Sequence, residues 1–457
     1  MMNSHHLAQQ VGKQITWLES WKQPRGYGGP VIHYWKNSTC YTGPGLDWRY
    51  EGIIISYIHL FEKTKQEKFL QCAREAGDHL IHGQLPEGQF VHSGFDGNPS
   101  GPVGSMPHDT AASIGLMRLA SVLRSRNSPQ WKGCYVAAKK NLAFHLKYLY
   151  DPSTRLFFQT FPSLDYRRHL VSNKHATLAE LLVLCYGMDK NKKYLRLAER
   201  CVQFVMSQQD HGKFKGAIHQ TNKNPSYISV YMARCVSGLM AMYDATKKTR
   251  HLESALEAIE FLKKMAAPEG GFYFGWRDMD NELYQYKYPQ FVAGAGDILR
   301  AFLLVKSHKK YPLDKHLDWI DSHAHKHGGV WTSIGMDAKD KKMEKKIKEP
   351  CWNDVVPVVG WNDKILRLRV ELLKEKTTIT EEPFIPSRVE CRDGVYEEDQ
   401  DKMIITTKQG KRIFNKQKKF SCASWFFKPL FAISAEKHFS PWMWEYTRRL
   451  GQRKELK

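Results

Sequence analysis

The chain has 457 residues, 42% of them hydrophobic, with 13 tryptophans, 21 tyrosines and 22 phenylalanines. This content supports a large packed core and excludes an intrinsically disordered chain. A formal charge of +22 favours acidic partners, but no nucleic-acid-binding motif accompanies it, so no nucleic-acid partner is expected.

The nine cysteines are dispersed without a CxxC pair, which reads as reduced, mostly buried thiols rather than a disulfide framework. There is no apolar run long enough for a membrane span. The opening MMNSHHLAQQVGKQ lacks an apolar signal core, and a cytoplasmic location is expected.

The first helix is predicted over residues 5–22, with Leu7, Val11, Ile15, Leu18 and Trp21 on one side. A glycine-rich turn and an extended aromatic segment, PVIHYW, follow it. The same unit of helix, polar or glycine-rich turn and short extended segment recurs at 66–93, 131–159, 192–218, 251–276 and 314–334. Between these units lie six more apolar helical segments, beginning near residues 46, 107, 173, 225, 289 and 351. Their starts are separated by roughly 50 to 70 residues, the period of a repeated two-helix unit. Rich in small and apolar residues, they read as inner helices packed on both sides; the more charged set reads as outer helices.

Two alternating classes of helix predict an all-α fold, an (α/α)6 toroid or barrel of six helical hairpins over residues 1–376. An open solenoid is the alternative. Closure is expected because the first and last helices are complementary halves. Residues 337–349 read as a lysine-rich insertion, either a solvated segment or a lid. Residues 377–457 read as a small C-terminal α+β extension packed on the barrel, with short β segments, a turn at Gln409-Gly410 and an aromatic-rich helix over FSCASWFFKPLFAISAEKHFSPWMWEYTRRL.

The inner segments share polar starts. The first has Asp47, Trp48, Arg49 and Glu51; the second has His108 and Asp109; the third has Lys174, His175 and, further in, Glu180. The fourth has Tyr227, Tyr231 and Arg234, the fifth has Tyr288 and Gln290, and the sixth has Trp352, Asn353 and Asp354. In a closed ring these starts meet at one end of a central cavity, where helix N-termini favour anionic ligands. Asp47, Asp109 and Asp354 can each instead be an N-cap. Together with His, Arg and Trp, however, the six starts predict a site.

This architecture resembles the six-hairpin (α/α)6 glycosidase superfamily over roughly residues 5–376. Within it, PHDTAASIG from Pro107 is similar to the His-Asp start of the second inner helix of unsaturated uronyl hydrolases, and LDWRYEG is similar in its tryptophan and polar groups. The resemblance implies a catalytically important aspartate at Asp109 with His108 as its neighbour. That family places a second aspartate near the start of the next inner helix, where this chain has Asn173, Lys174 and His175.

The expected chemistry is general acid/base hydrolysis of an acidic, uronate-containing oligo- or polysaccharide. Asp109 would be paired with Asp47, Glu51 or Asp354. Trp48, Trp352, Tyr227 and Tyr231 would line the sugar site with His175 and Gln290, and Arg49, Lys174 and Arg234 would neutralise a uronate or sulfate. A polysaccharide lyase or uronyl epimerase using Tyr231 or His175 as base is an alternative. So is a non-catalytic toroid binding an acidic glycan or protein. Asp278-Met-Asp280-Asn281 also fits part of the acidic motif of terpene cyclases. His323, His325 and His327 do not share one helix face, so no metal or other cofactor is expected.

Overall fold

The computed structural model describes residues 4–33, 38–42, 45–90, 106, 108–159, 170–223, 226–279, 282–338, 347, 349–416 and 428–429; at 31–33, 38–42, 108, 277–279, 282–284 and 428–429 it describes the backbone alone. The aromatic-rich segment after residue 416 and most of the lysine-rich insertion therefore lie outside the described residues.

The inner helices are α2 (Arg49–Thr64), α4 (His108–Ser125), α6 (Ser172–Asp189), α8 (Ser229–Thr246), α10 (Ala295–Leu304) and α12 (Val359–Leu372). The outer helices are α1 (Ser4–Ser20), α3 (Glu67–His82), α5 (Trp131–Tyr148), α7 (Lys192–Ser207), α9 (Thr249–Lys264) and α11 (Asp314–Ser322). Each inner helix packs on the next, and α12 packs on both α2 and α1, so the ring is closed. The outer helices are one-sided. In α7, Leu197, Ala198, Cys201, Val202 and Val205 are buried at helical spacing while the other face is charged. The inner helices are covered on both sides, so they bury more than half of their residues, without a single stripe. Glycines let them approach closely. A Cβ on Gly238 of α8 would lie 2.6 Å from the Ala176 carbonyl oxygen of α6, and one on Gly296 of α10 would lie 2.7 Å from the Lys364 carbonyl carbon of α12.

After each outer helix the chain makes a small β turn, as the repeat predicts. Pairings close it at Gln23–Gly26, Gln84–Phe90, Asp151–Leu156, Gln209–Ile218, Ala266–Phe272 and Ala324–Val330. The turn leans on the next outer helix. Gly216, at φ +92°, lies where a Cβ would be 2.1 Å from the Glu257 carbonyl oxygen of α9. Gly328, at φ +94°, lies where a Cβ would be 2.5 Å from the Gln14 nitrogen of α1. Only glycine combines that conformation with that space. The contact from the α11 turn to α1 closes the outer ring as α12 to α2 closes the inner one.

The expected elements shift in two places. The segment predicted as one last inner helix from 351 is split: Trp352–Val355 is a single helical turn, and α12 begins at Val359. Pro357 is the cause, since it has no N–H and drives the residue before it out of the α region; Val356 lies at ψ 117°. The starts of the fourth and fifth segments are lead-ins rather than helix. Tyr227-Ile228 is a strand paired with Gly275-Trp276, and Gln290 bridges Ile334 five residues before α10 begins.

Past the barrel, Ser387–Cys391, Gly394–Glu398, Lys402–Thr407 and Gly410–Asn415 form a four-stranded antiparallel meander. It buries Tyr396, Met403 and Ile405 and docks beside α1 and the turn after α11. The link is a sealed ionic cluster. Glu398 accepts from Trp17 Nε1 at 3.0 Å, from Lys416 Nζ at 2.7 Å and from Tyr396 Oη, and His327 Nε2 lies 3.3 Å away. The described cysteines Cys72, Cys134, Cys185, Cys201, Cys235, Cys351 and Cys391 are free thiols, most of them buried.

Candidate functional site

The six inner helices begin at the same end of the toroid. Trp48, Lys174, Tyr231, Asp297 and Trp361, at or near these starts, are only partly buried, the exposure expected of side chains that line the axis of a ring whose outer faces are covered. Trp48 lies across the start of α12, its Nε1 donating to the Gly360 carbonyl at 2.7 Å. Trp361 packs on Phe291, with ring centroids 4.7 Å apart, and on the glycine at 294. Lys174 Nζ donates to Gln159 Oε1 at 2.9 Å. Asp297, in the first turn of α10, keeps 23% of its side chain exposed and lies 3.6 Å from Arg300 Nη1.

Below this rim the cavity floor is a chain of charges. Glu51 Oε1 accepts from Arg234 Nη1 at 2.7 Å and from Arg367 Nη1 at 2.9 Å. Arg234 also donates from Nε to Thr177 Oγ1 at 2.9 Å and approaches Glu180 Oε2 at 3.2 Å, an ion-pair contact too poorly aligned to be a hydrogen bond. Arg367 Nε and Arg300 Nε both donate to Glu371 Oε1, at 3.1 and 3.0 Å. Asp363 Oδ2 accepts from Lys364 Nζ at 2.5 Å, and the same ammonium donates to the Trp48 carbonyl at 3.0 Å. Asp363 packs directly on Gly52, where a Cβ would lie 2.0 Å from Oδ2. Its Oδ1 is buried with no hydrogen-bond partner.

Two buried carboxyls thus behave oppositely. Burial works against Glu51 ionising, but Arg234, Arg367 and Lys364 outweigh it and hold the group far below the ordinary carboxylate range. Burial dominates at Asp363 and pushes it up to about 8 despite Lys364.

Of the residues predicted from sequence, Trp48, Glu51, Lys174, Tyr231 and Arg234 are brought together here. The others make contacts of their own elsewhere. Asp47 and Arg49 close on each other in a buried two-point pair, at 2.8 and 3.0 Å, with Arg49 Nη1 on the Tyr27 carbonyl. Asp109 is fully buried and turned toward α5, accepting from Asn141 Nδ2 at 3.3 Å. His175 is fixed at both nitrogens, by the Val171 carbonyl at 2.8 Å and the Phe157 N–H at 3.2 Å. Its pKa falls to about 4 through burial.

The displaced segment starts explain the rest. Asp354 accepts from Ser333 Oγ, Met336 N and Cys351 N, at 2.8, 2.8 and 3.0 Å, and so pins the loop before α12. Trp352 is held by its N–H to Asp393 Oδ1 at 2.9 Å, at the edge of the C-terminal sheet. The Tyr227 hydroxyl is shared between Asp210 and His219, at 2.8 and 2.9 Å. Gln290 is buried and donates to Glu269 Oε1 at 2.7 Å. The side chain of His108, and Pro107, Asp280 and Asn281, lie outside the described residues. His325 donates from Nε2 to the Val355 carbonyl at 2.7 Å and His327 belongs to the Glu398 cluster; among the described residues no group of three His, Cys, Asp or Glu is arranged to hold a metal.

Asp297, Asp363, Arg300, Arg367 and Glu371 were not among the predicted site residues. Their signal is present in the sequence: charges at i, i+3 and i, i+4 inside otherwise apolar, glycine-marked helices, in AGAGDILR and WNDKILRLRVELL.

No family model matches the chain, and no curated protein matches it in sequence. Solved structures do match in fold. An unsaturated glucuronyl hydrolase specific for heparin superposes with a TM-score of 0.59 at 11% identity, over 82% of this chain and 99% of its own. A sugar epimerase from a ruminal bacterium gives 0.57 at 12% identity, over 81% and 98%. A D-mannose isomerase gives 0.55 at 11%, over 81% and 98%. The chain therefore has the six-hairpin (α/α)6 fold, the architecture implied by its helical repeat and by the resemblance of its second inner helix.

Proposed function

We propose that the chain is a carbohydrate-active enzyme whose site is the axial cavity at the N-terminal ends of the inner helices, and that it hydrolyses an acidic oligosaccharide. The observation that carries this reading is the combination of aromatic rim and carboxyl floor. Trp48, Trp361 and Tyr231 offer faces for sugar rings. Beside them Asp297 is a cavity-facing carboxylate, and behind it Asp363 is a carboxyl held neutral. Paired carboxyls with unlike environments are what acid/base cleavage of a glycosidic bond requires.

In this reading Asp297 is the catalytic residue that meets the substrate. Asp363 is fully buried and acts through the floor, as a positioning residue that stores a proton. The ion pairs of Glu51, Arg234 and Arg367 hold the floor rigid, and Lys174 at the rim receives a uronate or sulfate group. This reading centres the site on the cavity rather than on Asp109.

A screen of acidic and neutral oligosaccharides by product mass tests this. Two shorter products from an acidic substrate, lost in Asp297→Asn, support the proposal. A product of unchanged mass points to epimerase or isomerase chemistry, a second reading favoured by the similar superposition of the ruminal epimerase. A mass-conserving cleavage with ultraviolet absorbance points to a lyase.

A further inference from the structure

The opposite end of the toroid, where inner helices hand over to outer ones, has a character of its own. Each of the five turns with its flanking residues, and the segment that leaves α12, carries two or three exposed lysines or arginines, as in Asp-Lys190-Asn-Lys192-Lys193 and Lys306-Ser-His-Lys-Lys310. Lys65, Lys190, Lys192, Lys193 and Lys310 have no carboxylate within 4.0 Å among the described residues.

The backbone gives a second, independent sign. Helices α2, α6 and α8 end in a left-handed residue, and that residue is Lys65, Lys190 or Lys247, at φ 60°, 57° and 56°. Each N–H caps the helix, reaching the carbonyl of Phe61, Tyr186 or Tyr243 at 2.8, 2.8 and 2.6 Å. Glycine or asparagine is the intrinsically favoured residue in that conformation. The turn after α4 does use Asn127, at φ 57°. Lysine at the other three is a choice against local preference. Helix-terminal charge favours a cation there, but it favours no strained one over the unstrained lysines of the same turn.

We propose that this basal face docks on a bilayer containing anionic lipid. The charges form a closed ring at one end of the molecule. A planar anionic surface meets such a ring all at once, whereas a linear polyanion meets only part of it. Tyrosines lie under the charges: Lys190 sits 5.7 Å from the Tyr186 ring and Lys247 5.1 Å from the Tyr243 ring, the pairing suited to a headgroup layer. The cavity mouth is at the other end and stays open to solution. This inference stands whether or not the proposed chemistry is right.

The test is flotation of the full-length protein with vesicles of phosphatidylcholine, with and without phosphatidylserine, over a range of salt. Binding is expected only with phosphatidylserine, weakening as salt rises. Lys65→Asn, Lys190→Asn and Lys247→Asn combined should weaken it at least ~tenfold while the thermal midpoint stays level or rises. The corresponding three arginine replacements should retain binding, and Lys192→Gln with Lys193→Gln should weaken it without touching a left-handed position. Equal binding to both vesicles, parental binding by the asparagine variant, or tighter binding to single-stranded RNA than to the anionic vesicles would each overturn the proposal.

Discussion

Two buried ionic clusters sit within one chain and differ in completeness. Around Glu398 every polar atom is used. Trp17, Tyr396, His327 and Lys416 all converge on the carboxylate, His327 Nδ1 takes the Gly329 N–H at 3.1 Å, and Lys416 Nζ also reaches Ser20 Oγ at 2.9 Å. The axial cluster is built from more charges but leaves Asp363 Oδ1, Glu180 Oε2 and Arg234 Nη2 without aligned partners. Buried polar groups are ordinarily satisfied, so orphans kept together at the end of a cavity mark a place where the fold gives up stability. The sealed cluster fixes a sheet to a barrel; the open one keeps bonding capacity in reserve.

The contrast breaks most sharply at Asp297. If the axial cluster is the reactive one, Asp297→Asn lowers kcat by about 10²–10⁴-fold, the range of general acid/base catalysis, with the fold intact by circular dichroism. An active Asp297→Asn enzyme would remove the open cluster from the chemistry. At the sealed cluster the large effect is on folding. Lys416→Met leaves Glu398 buried and uncompensated, and should cost about 3–5 kcal/mol in denaturant unfolding without changing the rate per folded molecule. Burial opposes the charge of Glu398, but Lys416 and His327 outweigh it and keep its pKa depressed. Its contribution is therefore present above the unfolded carboxylate value of about 4.3 and is lost as pH falls through the folded value. The gap between parent and variant should be widest near neutrality and close in acid.

Asp363 carries the opposite sign. Its folded pKa, about 8, lies above that of an unfolded aspartate, so between those values the folded state holds a proton the unfolded chain has released. Its effect is to make stability fall as pH rises from about 4 to about 8. Asp363→Asn should flatten that slope in thermal melts. It should also remove the alkaline limb of the kcat profile near that pH, a change that loss of packing alone does not produce. At the rim, Trp361→Ala should raise KM roughly tenfold with little change in kcat, about the worth of one aromatic stacking surface.

The architecture was legible because it is written as periodicity. Six outer helices with one buried stripe and six inner ones with none are distinguishable from spacing alone, and the glycines of the outer turns mark where the ring steps to its next member. The site was only partly legible. Trp48, Glu51, Lys174, Tyr231 and Arg234 stand out because a polar start on an apolar helix is conspicuous. The same rule takes in Tyr227, Gln290, Trp352 and Asp354, which precede their helices, because helix boundaries blur where an extended segment or a proline intervenes. Asp297 and Asp363 do not stand out, because a charge one turn inside an apolar helix looks like surface until the helix is known to be covered. Which of two buried faces a side chain takes cannot be read from spacing, so spacing alone does not decide between cavity and scaffold for Asp109.

Asp109 gives the smallest and most discriminating test of the comparison. It sits at the start of α4, where both the resemblance and the repeat led to a catalytic role. Its carboxylate, however, faces α5 and shares Asn141 with Ser113, whose Oγ donates to Asn141 Oδ1 at 2.8 Å. Asn141 also donates to the Gly88 carbonyl at 3.1 Å, so this network ties α4, α5 and the turn after α3 into one joint. On this network we propose that it belongs with the scaffold clusters. Asp109→Asn keeps the shape and exchanges one acceptor for a donor facing the Asn141 amide, which should cost about 1–2 kcal/mol of stability, the scale of one buried hydrogen bond. The rate per folded molecule should stay within about twofold, far below the 10²-fold loss of a missing acid or base. Parallel unfolding and kinetic measurements on Asp109→Asn and Asp297→Asn separate the two assignments. Loss of stability in the first and of turnover in the second places the reaction on the axis; the reverse returns it to the start of α4.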